Sequence, residues 1–138
     1  MIRFLKIPGD IYGRIEHLGD FFMKEPDILF VYLFGGLAKK IPNPLSDVDL
    51  AVYVKNEKKL DYLKLFGEIS RVLCTEEIDL ILLNKAPLSL TGRILQGRKV
   101  LIDKNPFLRQ KYESLMLRKY FDFVIKEREI LKGRYGIG

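Results

Sequence analysis

The stretch FGGLAKKIPNPLSDVDLAVYV, residues 34–54, decides how this chain is read. An apolar run, Ile28–Phe34, reaches it and stops at a glycine pair, Gly35-Gly36. A second apolar run leaves it, headed by two aspartates one residue apart, Asp47 and Asp49. A glycine turn is tight enough to bring backbone N–H groups up to a phosphate. Residues i and i+2 of a strand point the same way, so Asp47 and Asp49 share one face and Val48, Leu50 and Val52 take the other. Two like charges so close repel, and a cation is the usual remedy. Oxygen-only ligands favour a hard ion, Mg²⁺ or Mn²⁺, over zinc.

The flanking sequence supplies supports for that stretch. Ile28–Phe34 (ILFVYLF) is continuous in β-branched and aromatic residues, the pattern of a central strand covered on both faces. Residues Leu37–Lys40 can add one helical turn, and Pro42-Asn43-Pro44 then forces a loop. Val48–Val54 is the next strand. Upstream, Asp10 can cap a helix in which Ile11, Ile15, Leu18 and Phe22 recur at helical spacing until Pro26. His17, the only histidine, falls on its outer face. Met1–Pro8 reads equally as a strand or as packing.

Downstream, Asn56 precedes a helix carrying Leu60, Leu63, Phe66, Ile69 and Leu73. Ile78–Leu83 is a third buried-strand candidate, and Asp79 within it is expensive to bury unless paired or liganded. Carried on a neighbouring strand, Asp79 would add a third carboxylate to the Asp47–Asp49 pair and allow a two-metal site. Pro87–Gln96 reads as a helix stopped by Gly97 at C′, and Lys99–Ile102 as an edge strand. After Pro106 a long helix runs to about Lys132, its inner stripe expected at Leu108, Tyr112, Leu115, Tyr120, Phe123 and Val124. Alternating helices and strongly apolar strands predict an α/β (α+β) fold, a mixed β-sheet flanked by helices. With neither repeats nor a linker, one domain is expected over 1–138, its C-terminal helix over 106–132.

The totals agree with one domain and narrow the setting. The 138 residues are 48% hydrophobic and 30% charged, an ordinary globular composition. No apolar run approaches the roughly 18 residues of a membrane span, and the N-terminal one is too short for a secretory signal. The lone Cys74 cannot close an internal disulfide. A soluble, cytoplasmic protein is expected, without a membrane partner. The net charge of +6 favours anionic partners. Much of the excess lies beyond Arg98, on what reads as the solvated face of the last helix. No RNA-recognition, helix-turn-helix or zinc-finger signature is present, so nucleic acid is not an expected partner.

Gly35-Gly36, ten residues, then Asp47-Val48-Asp49 resembles the signature of polymerase-β-like nucleotidyltransferases. The context Ala38 and Ser46-Asp-Val-Asp-Leu-Ala-Val is similar as well, with Gly36 standing where that signature usually has serine. The length, the RILQGRKVLIDKNP stretch (Arg93–Pro106) and the RKYFDF segment (Arg118–Phe123) resemble the minimal nucleotidyltransferases. Those are commonly MntA-type antitoxins of HEPN-domain toxins. The resemblance implies the nucleotidyltransferase fold, with Asp47, Asp49 and Asp79 as catalytic and metal-binding residues. It implies Gly35, Gly36, Ser46 and Lys39 at the nucleotide, and Mg²⁺ (or Mn²⁺) with ATP. The implied reaction moves AMP from ATP to a hydroxyl, in the antitoxin branch a tyrosine of the cognate toxin. Two alternatives stay open: a stoichiometric toxin-binding antitoxin with a weakened nucleotide site, and an adenylyltransferase for small molecules. Homo- or hetero-oligomerisation is left open.

Overall fold

A computed structural model describes residues 10–38 and 47–135, the last two by their backbone only. The expectations made for Met1–Pro8, for the Pro42–Pro44 loop, and for Lys39 and Ser46 lie outside the described residues. Ten elements follow in order: α1 (Ile11–Met23), β1 (Ile28–Phe34), α2 (Gly35–Ala38), β2 (Val48–Val54), a 3₁₀ turn (Glu57–Lys59), α3 (Tyr62–Leu73), β3 (Ile78–Leu82), α4 (Leu88–Gly97), β4 (Lys99–Asp103) and α5 (Pro106–Tyr135). The described residues contain no helix long and apolar enough to cross a membrane.

The strands form one mixed sheet in the order β3-β2-β1-β4. β1 is antiparallel to β2 and β4, and β2 is parallel to β3, with α3 as the crossover. The continuous apolar run of β1 is explained by its position: it is central, and helices cover both sides. Val31 and Leu33 join the cluster containing Ile15, Leu18 and Phe22 of α1 and Leu65, Ile69 and Leu73 of α3. Phe30 and Tyr32 join Ile94 and Leu95 of α4, with Leu108, Tyr112 and Met116 of α5 packed against them. A register shift between Ile28 and Phe30 lets Ile28 share a side with Val31. The result is three layers, helix pairs on either face of the sheet.

The expected stripe of α1 is found, with Ile11, Ile15, Leu18 and Phe22 all buried and His17 exposed. Asp10 stands at the N-cap, but its carboxylate accepts from Arg14 Nε at 2.9 Å instead of capping the backbone. After β2 the expected single helix is two pieces. Asn56 caps the 3₁₀ turn by accepting from Lys58 N, and Asp61 caps α3 by accepting from Lys64 N. That break rotates the helix, so Leu65, Ile69 and Leu73 face inward and Leu63 is left exposed.

Two further expectations are corrected. Gly97 does not stop α4 from a left-handed C′ position; it ends the helix itself, and extended Arg98 follows. On α5, Leu115 and Phe123 lie outside, while Glu113, Met116 and Leu117 turn inward. Among the described residues Glu113 is the one buried charged side chain, and it is fully engaged. It accepts from Tyr32 Oη at 2.7 Å, Arg98 Nε at 2.8 Å and Arg109 Nη1 at 3.0 Å. Arg109 also donates Nε to Asp103 at 2.7 Å. This network ties α5 to β1, β4 and the end of α4. The two helices meet closely where Gly92 faces Tyr120; a Cβ there would lie 2.2 Å from the ring.

Candidate active site

The candidate site forms where β1 ends and β2 and β3 begin. Phe34 pairs with Asp49 across the antiparallel ladder, and Asp49 pairs with Asp79 across the parallel one. The chain therefore places Gly35, Asp49 and Asp79 side by side, although they span 45 positions of sequence. Asp47 stands one residue ahead of β2.

Gly35 adopts φ +72°, in the left-handed region that favours glycine, and heads the short helical turn α2. A Cβ on it would fall 2.1 Å from Asp49 Oδ2. The turn thus needs glycine twice, for its backbone angle and for the carboxylate packed against it. The first amides of any helical turn lack intrahelical acceptors, which suits a phosphate. Leu37, buried in the core beneath, anchors the turn.

The electrostatics follow from the pairing. Burial raises the Asp49 carboxyl, and the charges of Asp79 and Asp47 push it further, to about 6. Asp79 itself is exposed, contrary to the expectation of a buried strand acid, because β3 is an edge strand and only Leu80 within it is buried. Solvent therefore stabilises Asp79 without any partner being required. Tyr62 at the start of α3 is a neighbour that the sequence did not single out. Its hydroxyl donates to the Leu80 carbonyl at 2.6 Å, and burial, then the Asp79 charge, raise its pKa. Arg93 was missed in the same way. From α4 it lines, with Phe34, Gly35 and Leu90, a cavity of about 270 Å³ beside the glycine turn. No local motif marks Tyr62, and Arg93 opens the Arg93–Pro106 stretch without a site role of its own; the packing of α3 and α4 brings both here.

Among the described residues no three His, Cys, Asp or Glu side chains form a ready-made metal cage. The donor set nonetheless fits magnesium. Mg²⁺ is ordinarily held by one or two carboxylates plus substrate phosphates, not by an all-protein cage. Asp49 and Asp79, adjacent on the ladder and with the Asp49 carboxyl raised by burial first and by the neighbouring carboxylates second, are such a pair. Gly36 lies in α2 directly after Gly35.

Comparison with known proteins places this geometry in context. The family model described as polymerase beta, nucleotidyltransferase, matches residues 16–107. No curated protein matches the chain. Among solved structures, a toxin–antitoxin with AMP-PNP is similar at 20% identity and TM-score 0.63, over 86% of this chain and 93% of that one. A toxin–antitoxin MntA–HepT is similar at 20% identity and TM-score 0.57, over 86% and 92%. A tri-AMPylated Shewanella oneidensis HEPN toxin in complex with MNT antitoxin gives 19% and 0.55, over 86% and 93%. At such identities the likeness is one of fold.

Proposed function

We propose, since this chain belongs to the polymerase beta nucleotidyltransferase family, that it transfers AMP from ATP to a hydroxyl, the acceptor being a tyrosine of a HEPN-type toxin. The observation that carries the reading is the alignment of Gly35, directly after β1, with Asp49 on β2 and Asp79 on β3. The similar structures support the choice of nucleotide and acceptor: one is a toxin–antitoxin with AMP-PNP, and another holds a tri-AMPylated HEPN toxin.

In this reading the α2 amides approach the triphosphate, and Gly36, Lys39 and Ser46 contribute contacts to it. Arg93 faces the same turn and adds a cation. Asp47, Asp49 and Asp79 would hold Mg²⁺ (or Mn²⁺), which supplies charge neutralisation on the phosphates and polarises the α-phosphorus. The acceptor oxygen bonds to that phosphorus, the bond to pyrophosphate breaks in line, and Asp79 helps remove the acceptor proton. Gly36 supplies no hydroxyl where the family signature usually has serine; one hydrogen bond to charged groups is worth about 1–3 kcal/mol, so its loss weakens binding without abolishing chemistry.

A protein acceptor suits the surface. The outer half of α5 exposes Phe121 (52%) and Ile125 (54%), four residues apart on one face, apolar surface that a partner can cover. The same face also favours the second reading, a stoichiometric antitoxin. Co-expression with the toxin separates the two. Catalysis requires that the Asp47→Asn/Asp49→Asn double variant fail to rescue the host cells, whereas full rescue would establish neutralisation by binding alone.

A further inference from the structure

A second cavity, of about 480 Å³, opens at the other end of β2 and β3 from the carboxylates, between the strand ends and α5. Its volume lies within the roughly 300–1,000 Å³ of small-molecule sites. Tyr53 in its wall is four residues beyond Asp49 on the same face of β2, about 13 Å along the strand. Ala51 and the packed cluster around Tyr32 and Ile94 fill the space between. The two sites are therefore separate.

Leu83 and Met116 make much of this wall apolar, and its polar groups are unevenly used. Asn84 is committed, since its amide both accepts from Val54 N at 3.0 Å and donates to Val54 O at 2.9 Å. Glu57 Oε2 is buried and has no hydrogen-bond partner, and the buried Tyr112 hydroxyl has no nearer partner than Thr91. Thr91 beside them donates its own hydroxyl proton to the Pro87 carbonyl at 3.1 Å. The Tyr112 ring cannot swing away. It lies against Phe30 and Tyr53, centroids at 5.6 and 5.2 Å, and those two rings are themselves stacked at 4.7 Å. Exposed Lys111 lies at the mouth.

We propose that this cavity is a binding site for an adenine nucleoside or nucleotide, distinct from the carboxylate site. A carboxylate oxygen only accepts, so the ligand must bring an N–H donor to Glu57. The phenol can donate, and a ring nitrogen next to an amino group accepts from Tyr112. Tyr53, Leu83 and Met116 face a flat apolar body. A phosphate on the ribose meets Lys111. An amino-substituted purine nucleotide combines these features in one molecule.

The test is titration of the full chain with adenosine, AMP and purine riboside (which lacks the amino group) without divalent metal, following the Met116 methyl and backbone amides by NMR. Adenosine is expected to shift Met116 and the amides of Glu57, Asn84 and Tyr112. AMP should bind more tightly than adenosine, an advantage that Lys111→Ala removes, and purine riboside should bind more weakly. Tyr112→Phe and Glu57→Ala should each weaken adenosine about tenfold, the effect of losing one hydrogen bond. Absence of binding at millimolar adenosine, shifts confined to Gly35–Leu37 and Asp49, or unchanged affinity in Tyr112→Phe would each overturn the proposal.

Discussion

Gly35→Ala is the substitution that most directly probes how the candidate site is held together. Alanine at φ +72° adopts a left-handed conformation, which costs about 1–2 kcal/mol. The new methyl also falls 2.1 Å from Asp49 Oδ2 and 3.0 Å from its Cγ, well inside contact distance. Either the carboxylate rotates away or the turn moves. Asp49 has a short side chain and leaves the line it shares with Asp79. The stability loss corresponds to a melting temperature lower by roughly 3–10 °C for a domain of this size. A displacement of about 1 Å at a reacting centre can cost 10²-fold in rate. Transfer is therefore expected to fall at least that far while most of the protein stays folded at 25 °C, as circular dichroism and a toxin-labelling assay can show together. The control is Gly67→Ala. Nothing lies within 4 Å of a Cβ there, in the middle of α3, and alanine should stabilise by about 0.5–1 kcal/mol with transfer unchanged. If Gly35→Ala transferred AMP at the wild-type rate, the tight packing of the turn on Asp49 would not matter to the chemistry.

Three other outcomes follow from the same structure. Glu113→Ala leaves Arg98 and Arg109 without their shared carboxylate in a largely buried setting; a loss of about 3–5 kcal/mol is expected in urea unfolding, with no loss of the fold's identity at low temperature. For Glu113 itself, burial pushes the carboxyl up, but hydrogen bonds from Arg98, Tyr32 and Arg109 outweigh it and hold the pKa below the usual carboxylate range. Its contribution is therefore present above the unfolded-state value and lost as pH falls through the depressed folded one, so Glu113→Gln should flatten the acid limb of a stability profile. Asp49 behaves oppositely, because its folded value is raised to about 6. Metal-free protein should lose stability as pH rises from the ordinary carboxylate range through that value, and Asp49→Asn should remove this slope.

The sequence was most legible where one periodicity ruled. Ile11, Ile15, Leu18 and Phe22 repeat cleanly, and α1 buries all four. ILFVYLF has no polar position, and β1 is accordingly covered on both sides. Legibility failed where tertiary context set the phase. The Asn56 and Asp61 caps split one expected helix into two pieces and changed the face that α3 presents. On α5, apolar residues occur all around the helix, so periodicity could not say that Leu115 and Phe123 would face outward while Glu113 was buried. The Glu113 network joins residues as far apart as Tyr32 and Glu113, 81 positions, and no local pattern encodes it. At the candidate site, the Gly35…Asp47-x-Asp49 spacing carried the resemblance and Asp79 was reached from its isolation in an apolar run. The exposure of Asp79 was not legible, since strand order, not composition, made β3 an edge. Tyr62 and Arg93 became visible only once α3 and α4 were packed.

The most direct measurement is the intact mass of a purified HEPN-type toxin, the proposed acceptor, after incubation with this protein, ATP and Mg²⁺, with pyrophosphate release followed in parallel. Catalysis by the Gly35–Asp49–Asp79 site requires a gain of whole AMP units on partner tyrosines, matched mole for mole by pyrophosphate and abolished by Asp49→Asn. An unmodified partner, or equal modification by Asp49→Asn, would contradict it.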